Sequence, residues 1–551
     1  MPAKSKIAFP LFFIVLMQFS ILHAQFVPSH VSHKQIYEFL DELSDLQVID
    51  INTNIKPYSR TFILEQLLTA DLKTEFLSKR QKDELAFYLR DYRKDEIDEN
   101  SSKNTSWAWI NKPEDYRIDF FHYQDSSFNL TVNPILGGIL WSNQNGTFHH
   151  WWNGIETHAS YKNFSLYASL RDNHESNIIT GRDFMNQRIG AGNIKYLSGG
   201  KIDYEEMRAG ITYSWKWGHA GLIMDQFTWG DAVNGSNIFS GRSPSFARLD
   251  LQLNPADWLQ FNYIHGMLVS EVVDSTLSFW ATNSYGTDYR EVYHPKYLAA
   301  NLFTLRPFPR FYIGIGNSVV YDHRTPKAAF LIPVMFWKAV DHSLNAGIDN
   351  MNSNLFLTIS SRNLKGVHIY SSAFIDEIQV GRIFRENEYN FTSWKIGASV
   401  TPIPLATIRA EYTWSNALVF MHYVPTTTFE SNQYNLGHFL EDNARDIYFS
   451  LQIKPWYTLA ITAYYNLSQK GPDHTALGTN PRYAIEPLTP IVWERQVVGI
   501  QAQMQIINDL YLRLGYRRSN VTGEQEFLDR WTPSVYHGLT GTLNVGLNYG
   551  F

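Results

Sequence analysis

Three stretches of this chain carry residue types whose spacing could do chemistry. His149-His150-Trp151-Trp152 offers two imidazoles beside two indoles, the ingredients of a metal site or a sugar platform. It falls where the first long loop is expected. Neighbouring side chains on an extended chain point to opposite faces, so joint ligation by the two histidines is awkward. The alternative for this stretch is an aromatic girdle or loop packing. Trp229, Asp231 and Arg242 fall in one connection and combine a flat apolar ring with groups that can grip hydroxyls in pairs. That trio suits a pyranose, and loop-stabilising salt bridges would use the same residues. Trp151, Trp152, Trp229, Asp231 and Arg242 are therefore the candidate polysaccharide-binding residues. Asp376-Glu377 is a carboxylate pair, but sequence neighbours in a strand diverge instead of converging on one glycosidic bond. A nucleophile elbow, a phosphate-binding glycine loop and a zinc-helix motif are all missing, so neither an enzyme nor a cofactor or metal site is expected.

The elements that would hold these residues are two-faced strands. In the last stretch, Leu543, Val545, Leu547, Tyr549 and Phe551 share one parity, and Thr540, Thr542, Asn544, Gly546 and Asn548 share the other. Strict alternation over this length gives a strand with one apolar and one polar face, long enough to cross a bilayer when tilted. The design recurs upstream. Val498 to Ile506 alternates, turns at Asn508-Asp509 and returns through Leu512, Leu514 and Tyr516. Ile447 to Ile453 turns at Lys454-Pro455-Trp456, and Trp394 to Val400 turns at Pro402-Ile403-Pro404. Arg513 and Arg517 share the polar parity, as do Arg409 and Glu411, and read as part of a solvated inner ladder. Further tight turns are expected near Lys162-Asn163, Gly218, Asn254-Pro255, Arg306-Pro307 and Asn363-Leu364, with long polar connections such as Ser415 to Asp446 between them. Short turns at one end and long loops at the other is the asymmetry of outer-membrane barrels. Eight such turns, with both chain ends on their side, imply about 18 antiparallel strands.

Composition agrees. The chain has 551 residues, no cysteine, 15% aromatic and only 18% charged residues. Without cysteine there are no disulfides, thiolate metal sites or lipoprotein anchor. Mean hydropathy is −0.27, and past the N-terminus no apolar run approaches the length of a membrane helix. Barrel strands dilute each lipid-facing residue with a lumenal one, so these values exclude a helical membrane protein and permit a barrel. The net charge of −6 gives no support for nucleic acid as a partner.

The N-terminal part differs. Lys4 and Lys6 precede an apolar core from Ile7 to Leu22, and Leu22-His23-Ala24 offers a cleavage site. This reads as a secretory signal over residues 1–24. Over residues 25–97, apolar residues keep helical spacing in three short segments capped by Ser32, by Ser59 and by the Ser78/Gln81 capping box. They predict a small helical bundle on the periplasmic side, with spare apolar surface to bury and the reach to plug the barrel in part. Residues 98–115 read as a polar linker, and residues 116–551 as the outer-membrane barrel.

Four stretches together resemble the Wzi-type capsule-assembly proteins, in a form like those of Bacteroidetes. They are His33 to Leu43, Lys56-Pro57-Tyr58-Ser59-Arg60, Trp229 through Asn234-Gly235-Ser236-Asn237 to Phe246, and Tyr370 to Glu377. The resemblance extends over essentially the whole mature chain, which has larger extracellular loops than the best-known members. It implies an 18-stranded barrel, a periplasmic helical bundle and a lectin-like role in holding capsular polysaccharide at the cell surface. Expected partners are then capsular or extracellular polysaccharide, outer-membrane lipid and, during biogenesis, the barrel-assembly machinery. A porin-like channel for nutrients or oligosaccharides is the alternative, since a polar lumen would serve it equally.

Overall fold

The computed structural model describes residues 25–95, 104–107, 117–284, 286–344, 347–348, 350–475 and 482–550. The signal segment, most of the linker and Phe551 lie outside these residues. Among the described residues, eighteen antiparallel strands close into one barrel. They are β1 Phe128–Asn143, β2 Gly146–Tyr161, β3 Phe164–Glu175, β4 Ile202–Trp215, β5 Gly218–Met224 and β6 Ala247–Ala256. Next come β7 Leu259–Val273, β8 Tyr293–Phe308, β9 Phe311–Tyr321, β10 Asn352–Ser361, β11 Val367–Glu377 and β12 Phe391–Ile403. The last six are β13 Ala406–Ser415, β14 Ala444–Trp456, β15 Leu459–Lys470, β16 Trp493–Ile507, β17 Leu510–Gly523 and β18 Gly538–Tyr549. Closure is made by β18 pairing with β1, from Leu543 opposite Ser142 to Tyr549 opposite Leu136. Within the stretch expected to be linker, Asn104–Trp107 forms a strand that pairs with Phe121–Gln124 at this seam.

The expected end-to-end asymmetry is present except at Gln144-Asn145, where β1 and β2 are joined by a tight turn at the long-loop end, and the proline turns are shifted in position. Pro255, Pro307, Pro402 and Pro455 do not occupy the turn apices, which lie two residues later at Asp257-Trp258, Pro309-Arg310, Pro404-Leu405 and Tyr457-Thr458. Each proline sits where the strand pairing shifts register just before its turn. A β-bulge leaves one backbone group out of the ladder, and a residue without N–H fits there at no loss.

Strand parity sorts the side chains as the alternation requires. On β18, Leu539, Leu543, Val545 and Leu547 are exposed on the outside, while Thr540, Thr542 and Asn548 are buried inside. Tyr161, Phe164, Trp217, Trp258, Phe308 and Trp456 ring the outside at the tight-turn end. Trp151, Trp394 and Trp414 form a second exposed aromatic ring above them. A strand tilted by about 40° climbs roughly 2.6 Å per residue, so nine residues from Leu405 to Trp414 span about 23 Å. That matches an apolar band about 25 Å tall between two interfacial girdles. Lipid offers no partner to a backbone N–H or C=O, which is why such a sheet must close.

Helices α1 Lys34–Asp45, α2 Arg60–Asp71 and α3 Lys79–Tyr92 form the bundle. Their core holds Phe39, Leu40, Leu43, Ile63, Leu67, Leu85 and Tyr88. Ser59 caps α2 by accepting from the Phe62 N–H, and Ser78 with Gln81 closes a full capping box on α3. Ser32 does not cap α1; its hydroxyl is bonded to His30, and His33 occupies the cap position without a side-chain capping bond. The bundle sits in the tight-turn end of the barrel. Arg362 reaches Asp45 at 2.8 Å, Lys454 reaches Glu84 at 3.0 Å, and the Tyr88 hydroxyl donates to Gln505 at 3.3 Å. Arg306 pairs with Asp50 at 2.5 Å, and His158 lies 3.3 Å from Asp95. These anchors come from β2, β8, β14 and β16 and from the β10–β11 turn, so the bundle is fastened around the whole rim.

Candidate lumenal binding face

The structure separates the residues singled out in the sequence. His149 to Trp152 lie inside β2, not in a long loop, because β1 and β2 are joined by a tight turn at Gln144-Asn145. As strand geometry requires, Trp151 faces outward and Trp152 inward. Trp151 stacks on His174 with ring centroids 3.8 Å apart, in the upper girdle. Trp152 lies flat on the inner wall over Gly137, where any Cβ would come within 2.4 Å of the indole. The Arg171 guanidinium stands 5.4 Å from the same ring.

Trp229, Asp231 and Arg242 belong to the connection between β5 and β6, which folds down into the lumen. Thr228–Trp229 pairs there with Ile55–Lys56 of the N-terminal region. The Trp229 ring is 2% exposed and packed edge-on against Phe239 and Phe356, so it has no free face for a sugar to stack on. Asp231 accepts from the Thr53 hydroxyl, and burial raises its carboxyl above the ordinary range. Arg242 donates to the carbonyls of Arg182 and Phe184 and lies 5.2 Å from the Tyr434 ring. Burial pushes its guanidinium below its ordinary value. These three residues brace a plug.

The plug leans to one side. With the β13–β14 connection it fills the lumen against β7 to β13, where Phe239, Leu298, Leu302, Phe356, Phe374, Phe420 and Phe429 form one buried cluster. On that side Lys395 Nζ lies 2.8 Å from Glu411, whose carboxylate also accepts from the N–H groups of Val233 and Asn234 at 2.6 and 2.9 Å.

The opposite wall, β15 to β18 and β1 to β3, is covered less. Inward-facing Gln501 is exposed, and Thr462, Tyr464, Gln503, Arg513, Arg517 and Asn544 are half-buried. Register places Thr462 opposite Gln501, Gln501 opposite Gly515 and Gly515 opposite Asn544, one continuous polar strip. Gly499 lets the Tyr464 ring lie along the wall, since a Cβ there would come within 2.5 Å of it. Three arginines rise along this face. Arg513 lies 5.6 Å from the Tyr511 ring, and Arg517 lies 4.2 Å from Tyr536. Arg495 donates to the Met185 carbonyl at 2.7 Å and to Ser468 at 3.3 Å. Among the described residues none of the three has a carboxylate partner, whereas nearby Arg171 pairs with Glu206 and Arg188 with Glu175, both at 2.7 Å. A concave wall with flat rings and unmatched guanidinium groups can stack on pyranoses and bind acidic substituents. The sequence placed Arg513 and Arg517 on the inner parity; that they stay only half-buried depends on where the loops fold. Among the described residues no cluster of three or more His, Asp or Glu side chains is arranged to hold a metal ion.

No protein-family model and no curated protein matches this sequence. Among solved structures it is similar to Wzi of Escherichia coli, an outer-membrane protein involved in group 1 capsule assembly and described as a carbohydrate-binding β-barrel. The identity is 10%, covering 96% of this chain and 100% of that one, with a TM-score of 0.57. It is also similar to OccD3 of Pseudomonas aeruginosa, with 9% identity over 76% of this chain and 90% of that one and a TM-score of 0.41. OccAB2 of Acinetobacter baumannii gives 8% identity over 76% of this chain and 97% of that one, with a TM-score of 0.42. At such identities the likeness to Wzi is one of fold: a barrel of the same architecture along nearly the whole chain.

Proposed function

We propose that this chain is a non-enzymatic, lectin-like protein of the Gram-negative outer membrane that binds capsular or extracellular polysaccharide and aids its assembly at the cell surface. In this reading the tight turns and the helical bundle face the periplasm, and the long connections face outward. The observation that carries it is the one-sided lumen: the bundle is fastened around the tight-turn mouth, while the wall with Arg495, Arg513 and Arg517 is only half-covered beneath the long connections. A chain end or loop of an acidic glycan entering from outside would meet flat rings and unmatched positive charge before reaching a closed floor. The carbohydrate binding of Wzi, which shares the fold, supports the same reading.

The porin-like alternative requires a continuous water path past the bundle. Purified protein in planar bilayers, tested together with a panel of acidic and neutral glycans, separates the two. A closed pore with selective binding of acidic glycans supports the lectin; a steady large conductance without glycan binding overturns it. In cells, a deletion strain should shed polysaccharide that the parent strain retains.

A further inference from the structure

The described stretch Asp322 to Leu344 of the connection between β9 and β10 does not enter the lumen as the β5–β6 and β13–β14 connections do. It folds back down the outer wall. Tyr263, Tyr297, Val319 and Tyr321 have the outward parity of lipid-facing residues, yet they are buried in one cluster with Phe330 and Trp337 of this connection. Asn301 and Asn317 face outward beneath it. Asn301 donates to the Pro333 carbonyl at 2.8 Å and to that of Met335 at 3.1 Å. Asn317 donates to Asn301 at 2.7 Å and accepts from the Trp337 N–H at 2.9 Å. Tyr263 donates to the Phe330 carbonyl at 2.9 Å.

Depth makes this arrangement unusual. Asn301 lies seven residues above Phe308 of the lower girdle, hence about 18 Å up an apolar band about 25 Å tall. An asparagine facing lipid there would be without partners, and so would the carbonyls of an irregular segment. Here each supplies what the other lacks. The far side of the segment is apolar and uncovered: Leu331, Ile332, Val334 and Phe336 are 42 to 64% exposed. Below them Phe303 and Ile315 continue the same outer surface into the lipid-facing belt.

We infer that Asp322 to Leu344 is a membrane-embedded strap. Its inner side is hydrogen-bonded to the barrel wall, and its outer side, Leu331 to Phe336, meets the acyl chains of the outer leaflet. The occupant is lipid because the exposed face is continuous with the band that lipid already covers. This connection is then withdrawn from the surface offered to polysaccharide, and the inference stands whether or not a glycan is bound.

The chain lacks cysteine, so single substitutions report position directly. Val334→Cys and Phe336→Cys, labelled with bimane, are placed in phosphatidylcholine vesicles carrying nitroxide on the acyl chains. Trp280→Cys, on the exposed hairpin between β7 and β8, is the water-side reference. Quenching of the two strap positions at least about threefold above the reference is expected, with slow reaction toward a charged maleimide relative to heat-denatured protein. Heat-modifiable migration verifies that each variant is folded. An Asn301→Ala/Asn317→Ala pair in the Val334→Cys background should raise maleimide reactivity by releasing the strap. Rapid maleimide reaction at Val334→Cys in the folded protein would overturn the inference. So would protection without nitroxide quenching, accompanied by crosslinking to a second copy, which would make the strap a protein interface.

Discussion

Lys395 Nζ lies 2.8 Å from the Glu411 carboxylate across two adjacent strands, both side chains almost wholly buried. The same carboxylate accepts the Val233 and Asn234 N–H groups, so a single acid joins the barrel wall to the plug. Glu411→Gln leaves a buried ammonium without its counter-charge, which typically costs about 3 to 5 kcal/mol. A lower urea midpoint by tryptophan fluorescence is expected. A Lys395→Met/Glu411→Gln double variant should recover much of the loss, because it removes both charges and keeps an acceptor for the plug's N–H groups.

Trp229 packs the plug against the wall. Trp229→Ala opens a cavity worth about 3 to 5 kcal/mol. If its role is bracing, the folded fraction should bind glycan with unchanged Kd while the unfolding midpoint drops. A selective loss of glycan affinity at unchanged stability would restore it as a sugar contact.

Arg513 and Arg517 should behave in the opposite way. A charge-assisted hydrogen bond is worth about 1.5 to 3 kcal/mol, so each alanine variant should weaken acidic-glycan binding roughly ten- to hundredfold. Affinity electrophoresis against acidic and neutral polysaccharides checks this. The difference should shrink at high salt, and neutral glycans should be little affected.

Acid should loosen the bundle through Asp95. Burial alone would raise this carboxyl, but Arg60, paired with it, and His158 at 3.3 Å outweigh burial and hold it well below its ordinary value. A depressed folded-state pKa stabilises the fold above the unfolded value of about 3.9, and the gain disappears as pH falls through the folded value. Denaturation midpoints of the parent and Asp95→Asn should therefore differ by a constant amount above about pH 5 and converge below about pH 4. A gap that widens in acid would contradict the assignment.

What the sequence determined by itself was local: strand parity, and hence the two faces of each strand, the eight turn positions to within two residues, and two of the three helix caps. Each follows from residues a few positions apart, so Leu543 and Thr542 declared their sides without reference to the rest of the chain. The proline turns were displaced because proline's missing N–H suits a bulge as well as an apex, and only strand register tells them apart. The use made of each face was decided by tertiary structure. Trp229 reads as a candidate sugar contact and Arg517 as part of an inner ladder, yet Trp229 is sealed while Arg517 stays half-exposed, because the β5–β6 connection leans toward β7 to β13. Asn301 and Asn317 have outward parity in a lipid-facing wall, and only the connection folded over them supplies their partners. Long connections find their place by contacts more than a hundred residues apart, such as Asn54 with Gly230, and no periodicity within a connection records which wall it will meet.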